Sequence, residues 1–577
     1  MRRLTLSFLF PLIALLMLVL VLDRQVFTAP PLGKTLNPFI GIVQNEKETK
    51  SDKTLDLGLK KQVAVHFDKR DVPHLFASNQ EDLFFAQGYV CASDRLWQMD
   101  FMSYMSAGRL SELFGRSLVD YDRTQRRNGM LYAAKKSLKF MEQDPETKKA
   151  LDSYTAGVNA WIEQLSYKDY PMEYKLMDYE PEPWTNLKSV LVVKYLSSVL
   201  SGYENDIPSS IIRMALGEEK YDELFPNFFM DQDSSSFGIT TITDSLDQMD
   251  YLDYSFLETV SEVPESKFNP HLGSNSWVVS AGKSATGNAV LCSDPHLNLT
   301  LPSIWYEIQL KSDVQNVYGY SIPGVPGIIV GFNDQISWGL TNSSADVIDY
   351  HKLILNKDYS AYMFDGKWIE TDERIEEIKV KNDKALYDTV FYSNQGPIAS
   401  DFNFGDPIKR GFALDWSLHN PSNELLSFLQ INKAKNNDEF VDAIEHYKCP
   451  AQNFSYADVA GNIGMYFRGD VLSRKWKDHG NFVLDGSRSD HFIKTVVKEL
   501  PSSFNPERGY VFSANNNPYR ALGPTLIYGD YDELRADKID ALLKSKERFT
   551  LKEMQAMQLN NHNRLAEAAL PFLIEAT

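Results

Sequence analysis

The sequence predicts an α+β protein, helical in its first half and strand-rich in its second, and three observations predict it. Between Asn79 and Phe114 apolar residues (Leu83, Phe84, Leu96, Met99, Met102) recur at helical spacing, and similar patterns run from Glu146 to Leu165 and from Trp184 to Leu216. After Gly273 the chain changes to short β-rich runs. Trp277-Val278-Val279, the turn Ala285-Thr286-Gly287-Asn288 and the run Ala289-Val290-Leu291 read as a hairpin, and strand-like runs recur from Tyr318 to Trp338 and from Phe454 to Phe467. Between the two halves, Thr240 to Lys267 is acidic and irregular, as in a linker or surface loop.

In chain order, Met1-Arg2-Arg3 is basic and Leu4 to Leu22 is a largely apolar run that Asp23 and Arg24 close. Residues 1–23 therefore read as an export segment. Its length is near that of a membrane span and no clean A-x-A site follows, so a cleaved signal peptide and a membrane anchor both stay open. Residues 24–60 lack periodicity and read as a tether, 61–240 as a mostly helical region, 241–273 as an acidic spacer and 274–577 as the strand-rich region. Helical periodicity returns at Asp537 and is still running at Thr577 without a capping signal, the pattern expected of a chain that continues in a longer protein.

With 577 residues, 43% hydrophobic and 24% charged, the chain can bury a large core. A net charge of -19 and the lack of a basic stripe exclude nucleic acid as a partner. Cys91, Cys292 and Cys449 lie far apart with no C-x-x-C pair, so they read as small buried hydrophobes rather than disulfide or zinc ligands.

No G-x-S-x-G elbow, H-E-x-x-H, Walker loop or G-x-G-x-x-G is present, and none of the ten histidines pairs at metal-ligand spacing. Gly273-Ser274-Asn275-Ser276-Trp277 stands where the acidic stretch meets the first strand run. By itself it reads as a turn. Two other segments, Ser293-Asp294-Pro295-His296 and Ala514-Asn515-Asn516-Asn517-Pro518, supply the hydrogen-bonding side chains that amide hydrolysis needs, although each alone also reads as a capped turn.

Taken together these segments resemble the penicillin acylase family. GSNSWVVSAGKSATGNAVLCSDPHLNLTLPSIWYEIQL (Gly273 to Leu310) and SIPGVPGIIVGFNDQISWGLTNSSADVID (Ser321 to Asp349) are similar to the start of that family's β-chain. The resemblance continues in order through RDVPHLFASNQEDLFFAQGYVCASDRLWQMD (Arg70 to Asp100), GRLSELFG (Gly108 to Gly115), NFSYADVAGNIGMYFRGD (Asn453 to Asp470) and SANNNPYR (Ser513 to Arg520). It spans nearly the whole chain from Val63 onward.

The resemblance implies the αββα four-layer sandwich of N-terminal nucleophile hydrolases and a precursor that cuts itself between Gly273 and Ser274, leaving α- and β-chains as a heterodimer. Ser274 would then carry both the nucleophilic hydroxyl and a free α-amine. Such an amine titrates near about 7.7–8.0, against about 10.4 for lysine, and can act as the base. The family motif assigns the oxyanion donors to the Asn515 side chain and the Asn342 backbone N–H, and sets His296 where it would orient the α-amine and the bond to be cut. One departure is that the family's arginine after the Asn-Asn motif appears here as Lys538, with Arg535 one turn earlier.

A calcium ion is implied at Asp206, Asp346, Asp349 and the Ile348 carbonyl, oxygen ligands suited to Ca²⁺. The implied substrate is a linear N-acyl amide such as a penicillin or an acyl-homoserine lactone. Leu297, Val330 and Ser344 fall where penicillin G acylases use bulky aromatics, so the acyl pocket is expected to differ in shape and to favour an aliphatic chain. With the export segment, this places the protein in the periplasm or on the periplasmic face of the inner membrane. Two rival readings are an unprocessed binding protein that keeps the fold, and a serine hydrolase whose base is His296.

Overall fold

Ten strands form one sheet, in spatial order Lys53–Leu55, Val63–Phe67, Pro73–Phe76, Tyr306–Lys311, Asn316–Ser321, Val330–Asn333, Ile336–Asn342, Gln452–Asp458, Ile463–Arg468 and Ser502–Phe504. Every pairing in it is antiparallel except that of Pro73–Phe76 with Tyr306–Lys311. This computed structural model describes residues 2–24, 30–45, 50–202, 205–225, 273–401, 404–405, 410–472, 480–492, 495–518, 529, 531 and 533–576, with backbone alone for 2–8. The acidic spacer expected at 241–273 lies outside the described residues apart from Gly273.

A second sheet has three strands, Tyr510–Ser513, Gly273–Val279 and Val290–His296, with Gly273–Val279 in the middle. Alternation along each strand decides what the two sheets touch. One face of the large sheet packs on helices: Trp338, Phe454 and Tyr456 share an apolar core with Leu83 and Phe84 of helix Gln80–Ala107, Tyr154 of helix Pro145–Ile162 and Phe428 of helix Glu424–Ile431. The other face meets the small sheet through Val278, Val511, Ala457 and Met465. Beyond the small sheet, Trp277, Val279 and Phe512 are covered by Ala536, Ile539 and Leu543 of helix Glu533–Lys544 and by Met554 of helix Leu551–Gln558. The layers run helix, sheet, sheet, helix, which is the αββα sandwich expected.

The long helix Gln80–Ala107 begins where Asn79 Oδ1 accepts the Asp82 N–H and ends at Gly108 in a left-handed conformation, so side chain and backbone satisfy its end groups. The Trp184 to Leu216 pattern is two helices, Asn186–Ser201 and Asp206–Leu216. The predicted hairpin forms with Val279 opposite Val290. The expected tether is partly built into the fold, because Lys53–Leu55 pairs with Val63–Phe67 as the edge of the large sheet. The segment expected to direct export is helical from Arg2 to Leu22. Among the described residues no helix is long and apolar enough to cross a membrane.

Candidate active site

Ser274 is the second residue of the central strand of the small sheet and is buried. Its direct opposite in the neighbouring strand is Pro295, so the two share a face, while Asn275, Asp294 and His296 point to the other. The Ser274 face looks toward the large sheet. There strand Ile336–Asn342 ends, and the Asn342 N–H donates to Ser274 Oγ at 3.4 Å.

Asn515 closes the site from the turn after Tyr510–Ser513, where its φ of 65° puts it in the left-handed region. The Ser274 N–H donates to Asn515 Oδ1 at 2.6 Å, and Asn515 Nδ2 donates to the Asn342 carbonyl at 2.7 Å. Because Oδ1 receives two donors, Ser274 N–H and Arg535 Nη2 (2.8 Å), the orientation of this amide is fixed by the network, and Nδ2 keeps a second N–H for a ligand. The Asn342 side chain is pinned separately: its Nδ2 donates to the Leu200 carbonyl at 2.8 Å and its Oδ1 accepts from Gln452 Nε2 at 3.1 Å. One backbone donor, the Asn342 N–H, thus reaches the buried hydroxyl, while the Asn515 amide bridges the Ser274 nitrogen and the Asn342 carbonyl.

The cation beside the nucleophile is Arg535, not the expected Lys538. Arg535 Nη1 donates to the Ser274 carbonyl (3.0 Å) and Asn275 Oδ1 (2.8 Å) while Nη2 reaches Asn515. Two separate nitrogens of one planar guanidinium reach these acceptors, a fork that lysine lacks. Lys538 stands one turn further along helix Glu533–Lys544 and makes no hydrogen bond or ion pair among the described residues.

His296 lies directly opposite Gly273 but does not touch Ser274 Oγ. Its Nε2–H donates to Asp294 Oδ2 at 2.7 Å, and Asn275 Nδ2 donates to the same oxygen at 3.2 Å. This hydrogen-bonded group occupies the helix side of the small sheet, next to the Gly273–Ser274 bond and away from the hydroxyl.

An apolar cavity of about 110 Å³ opens at Ser274 and is lined by Leu196, Leu200, Leu297, Ile329, Leu340 and Phe428, among others. Its volume is below that of a cavity of about 150 Å³ that takes benzene, so it suits a short acyl group. Of the three expected pocket residues only Leu297 lines it. Val330 instead faces a neighbouring cleft of about 690 Å³ walled by Lys50, Arg70, Arg95 and Asp294, and Ser344 lines neither. The two spaces share Pro295 and Trp305.

Of the expected calcium residues, Asp206 and Asp349 are buried, and Asp206 Oδ2 accepts the Tyr350 N–H at 2.9 Å. The Asp346 carboxylate turns to the Ile348 N–H at 3.2 Å. Among the described residues no group of three or more histidine, cysteine or carboxylate side chains forms a metal cage. The cysteines are buried thiols, pushed up by burial to about 12 at Cys91 and Cys292 and to about 11 at Cys449, which leaves them unreactive near neutral pH.

Two stacked sheets between helical layers, with a buried serine at the start of the central strand of one of them, are the N-terminal nucleophile hydrolase fold. The chain matches the penicillin amidase family over residues 62–577, and it belongs to that family. It is 26% identical over 536 residues to the acyl-homoserine lactone acylase QuiP of Pseudomonas aeruginosa, covering 87% of this chain and 60% of that protein. It is 25% identical over 545 residues to the penicillin G acylase of Escherichia coli, covering 85% and 63%. A solved structure, the thermostable penicillin G acylase from Alcaligenes faecalis, aligns at 24% identity and a TM-score of 0.43 over 49% of this chain and 51% of that one. The chain spans about 60% of the length of the curated relatives it matches.

Sequence reading missed the contacts of Arg535 and the part played by Gln452. The only signal for Arg535 was its place one turn before Lys538. Gln452 immediately precedes the quoted run from Asn453 to Asp470.

Proposed function

We propose that this protein is an N-acyl amidohydrolase that activates itself by cutting the Gly273–Ser274 bond and then hydrolyses linear amides through an acyl-enzyme on Ser274. The observation that carries the proposal is the convergence of Ser274 Oγ, Ser274 N, the Asn342 N–H and Asn515 within hydrogen-bond reach in one buried site.

In the continuous chain the Ser274 nitrogen is an amide N–H held by Asn515 Oδ1. Cleavage would turn that atom into a free α-amine in the same cradle. The Arg535 guanidinium beside it disfavours protonation of the amine, which keeps it basic near neutral pH. The neutral amine takes the Ser274 hydroxyl proton as Oγ attacks the substrate carbonyl. The oxyanion so formed is held by the Asn342 N–H and the second N–H of Asn515 Nδ2, and the amine returns the proton to the leaving nitrogen. Water then attacks the acyl-enzyme by the same route. His296, bonded to Asp294 opposite Gly273, would orient the bond that is cut rather than serve as the base.

The apolar cavity at Ser274 supports an acyl group with a short apolar chain, and the relatives named above support penicillin-like or acyl-homoserine lactone amides. The helix Arg2–Leu22 supports export to the periplasm or to the periplasmic face of the inner membrane, and cleavage would leave an α/β heterodimer. A structural Ca²⁺ held by Asp206, Asp346, Asp349 and the Ile348 carbonyl belongs to the same reading. The two buried carboxylates favour it, the lack of a three-ligand group among the described residues does not, and no step of the reaction runs through it. The test is release of free amine from a panel of alkyl-acyl and phenylacetyl amides and acyl-homoserine lactones by wild-type and Ser274→Ala protein. Turnover by the wild type alone is expected; equal amine release by both would defeat the reading.

A further inference from the structure

Between the two sheets, close to Ser274, the packing is made of hydroxyls rather than methyl groups. Thr341 and Ser513 meet at 2.7 Å, and Asn453 Nδ2 donates to both, at 3.2 Å to Thr341 Oγ1 and 3.1 Å to Ser513 Oγ. All three side chains are about 99% buried. Asn453 lies directly opposite Thr341 in the large sheet, so the two point the same way, toward the small sheet.

The placement of these partners along the chain is what matters. Thr341 immediately precedes Asn342, whose N–H reaches Ser274 Oγ, and Ser513 is two residues before Asn515, whose Nδ2 is the other donor. A single buried amide therefore ties the two strands that deliver the two oxyanion donors. The neighbouring Gln452, pointing the opposite way, holds the Asn342 side chain. Asn453 Oδ1 has no hydrogen-bond partner among the described residues. The unpaired buried carbonyl costs stability and so offsets the two bonds that Nδ2 donates. A buried amide left half satisfied at the joint of the two donor strands is the signature of a functional constraint.

We infer that Asn453 is a positioning residue that sets the spacing between the Asn342 N–H and Asn515 Nδ2, and so tunes the oxyanion hole without touching substrate. This rests on the hydrolase reading above. The consequence is a split that a merely structural residue would not produce: Asn453→Leu should change the melting temperature little while slowing the chemistry.

The first readout is the time course of Gly273–Ser274 cleavage in the full chain for wild type, Asn453→Leu, Thr341→Val and Ser513→Ala. Self-cleavage is expected to slow about tenfold or more in Asn453→Leu, below the roughly 10²–10³ of removing a donor outright, and less in the single hydroxyl deletions. In processed protein, kcat should fall with KM within about twofold, and affinity for a boronic acid that forms a tetrahedral adduct on Ser274 should fall in proportion to kcat. Cleavage and kcat unchanged in Asn453→Leu overturn the inference, as does a raised KM with kcat intact. If Asn453→Leu fails to fold, the hydroxyl deletions decide by the same criteria. A wild-type chain that neither cleaves nor turns over would defeat the hydrolase reading instead, and the rate at which a phosphonofluoridate labels Ser274 would then compare wild type and Asn453→Leu directly. Equal labelling rates overturn the inference; slower labelling of the variant supports it.

Discussion

Strands Ile336–Asn342 and Gln452–Asp458 lie side by side in the large sheet, yet their two faces are made of different material. Toward the helices they present Trp338, Leu340, Phe454 and Tyr456. Toward the small sheet they present Gly339, Thr341, Asn453 and Ser455, and Ser455 Oγ meets Ser276 Oγ of the nucleophile strand at 2.7 Å. The first face gains stability from apolar burial, roughly 1.5–3 kcal/mol for each large side chain. The second uses small and hydroxyl-bearing residues, which bring the sheets close and fix direction by hydrogen bonds. Gly339 shows how close: a Cβ there would lie 2.5 Å from Ser293 Cβ. One face holds the fold and the other sets the geometry of the site.

Substitutions can break this division or sharpen it. The largest effect is expected on the helix face, where Trp338→Ala should cost about 3–5 kcal/mol in chemical denaturation, since the indole is fully buried and leaves a cavity. A loss under about 1 kcal/mol would mean that the support lies elsewhere. Asn515→Ala should shift the loss toward catalysis, lowering kcat on a reporter amide about 10²–10³-fold in processed protein, with a stability loss of about 1–3 kcal/mol from the buried partners it leaves unpaired. Gly339→Val should combine the two at smaller size, losing about 1–3 kcal/mol from overpacking between the sheets and slowing self-cleavage as well.

Arg535→Leu should act through pH. Removing the cation lets the Ser274 α-amine hold its proton more tightly, so its pKa rises and the acidic limb of kcat/KM moves up, by about one unit. A limb that stays in place would show that the guanidinium only braces Asn515. The smallest effect expected is none: with its thiols pushed up to about 11 and 12, the native protein should resist iodoacetamide at pH 8 at all three cysteines and react once unfolded, as read by mass spectrometry.

The helix face was legible in the sequence because its apolar residues repeat at regular spacing, as in Leu83, Phe84, Leu96 and Met99, and because the run Trp277-Val278-Val279 has the composition of a buried strand. Ser274, Asn342, His296 and Asn515 were marked out by their resemblance to a family motif, and the structure brings Ser274, Asn342 and Asn515 into one hydrogen-bonded group while His296 stays on the opposite face. The polar seam was not legible. Gly339, Thr341, Asn453 and Ser455 look like ordinary strand punctuation until pairing and stacking bring them together, because register and sheet contact are non-local facts. Arg535 against Lys538 was a question of one helical turn, which spacing alone could not decide. Val330 and Ser344 failed for a related reason: a match of position along the chain does not say which cavity a side chain faces.

The central claim is that Ser274 becomes an N-terminal nucleophile by self-cleavage, and the most direct test is intact mass and N-terminal sequencing of purified wild-type and Ser274→Ala chains. The account predicts two fragments from the wild type, one beginning Ser-Asn-Ser-Trp, and a single whole chain from the variant. A wild-type chain that stays whole, or a variant cut at the same bond, would contradict it.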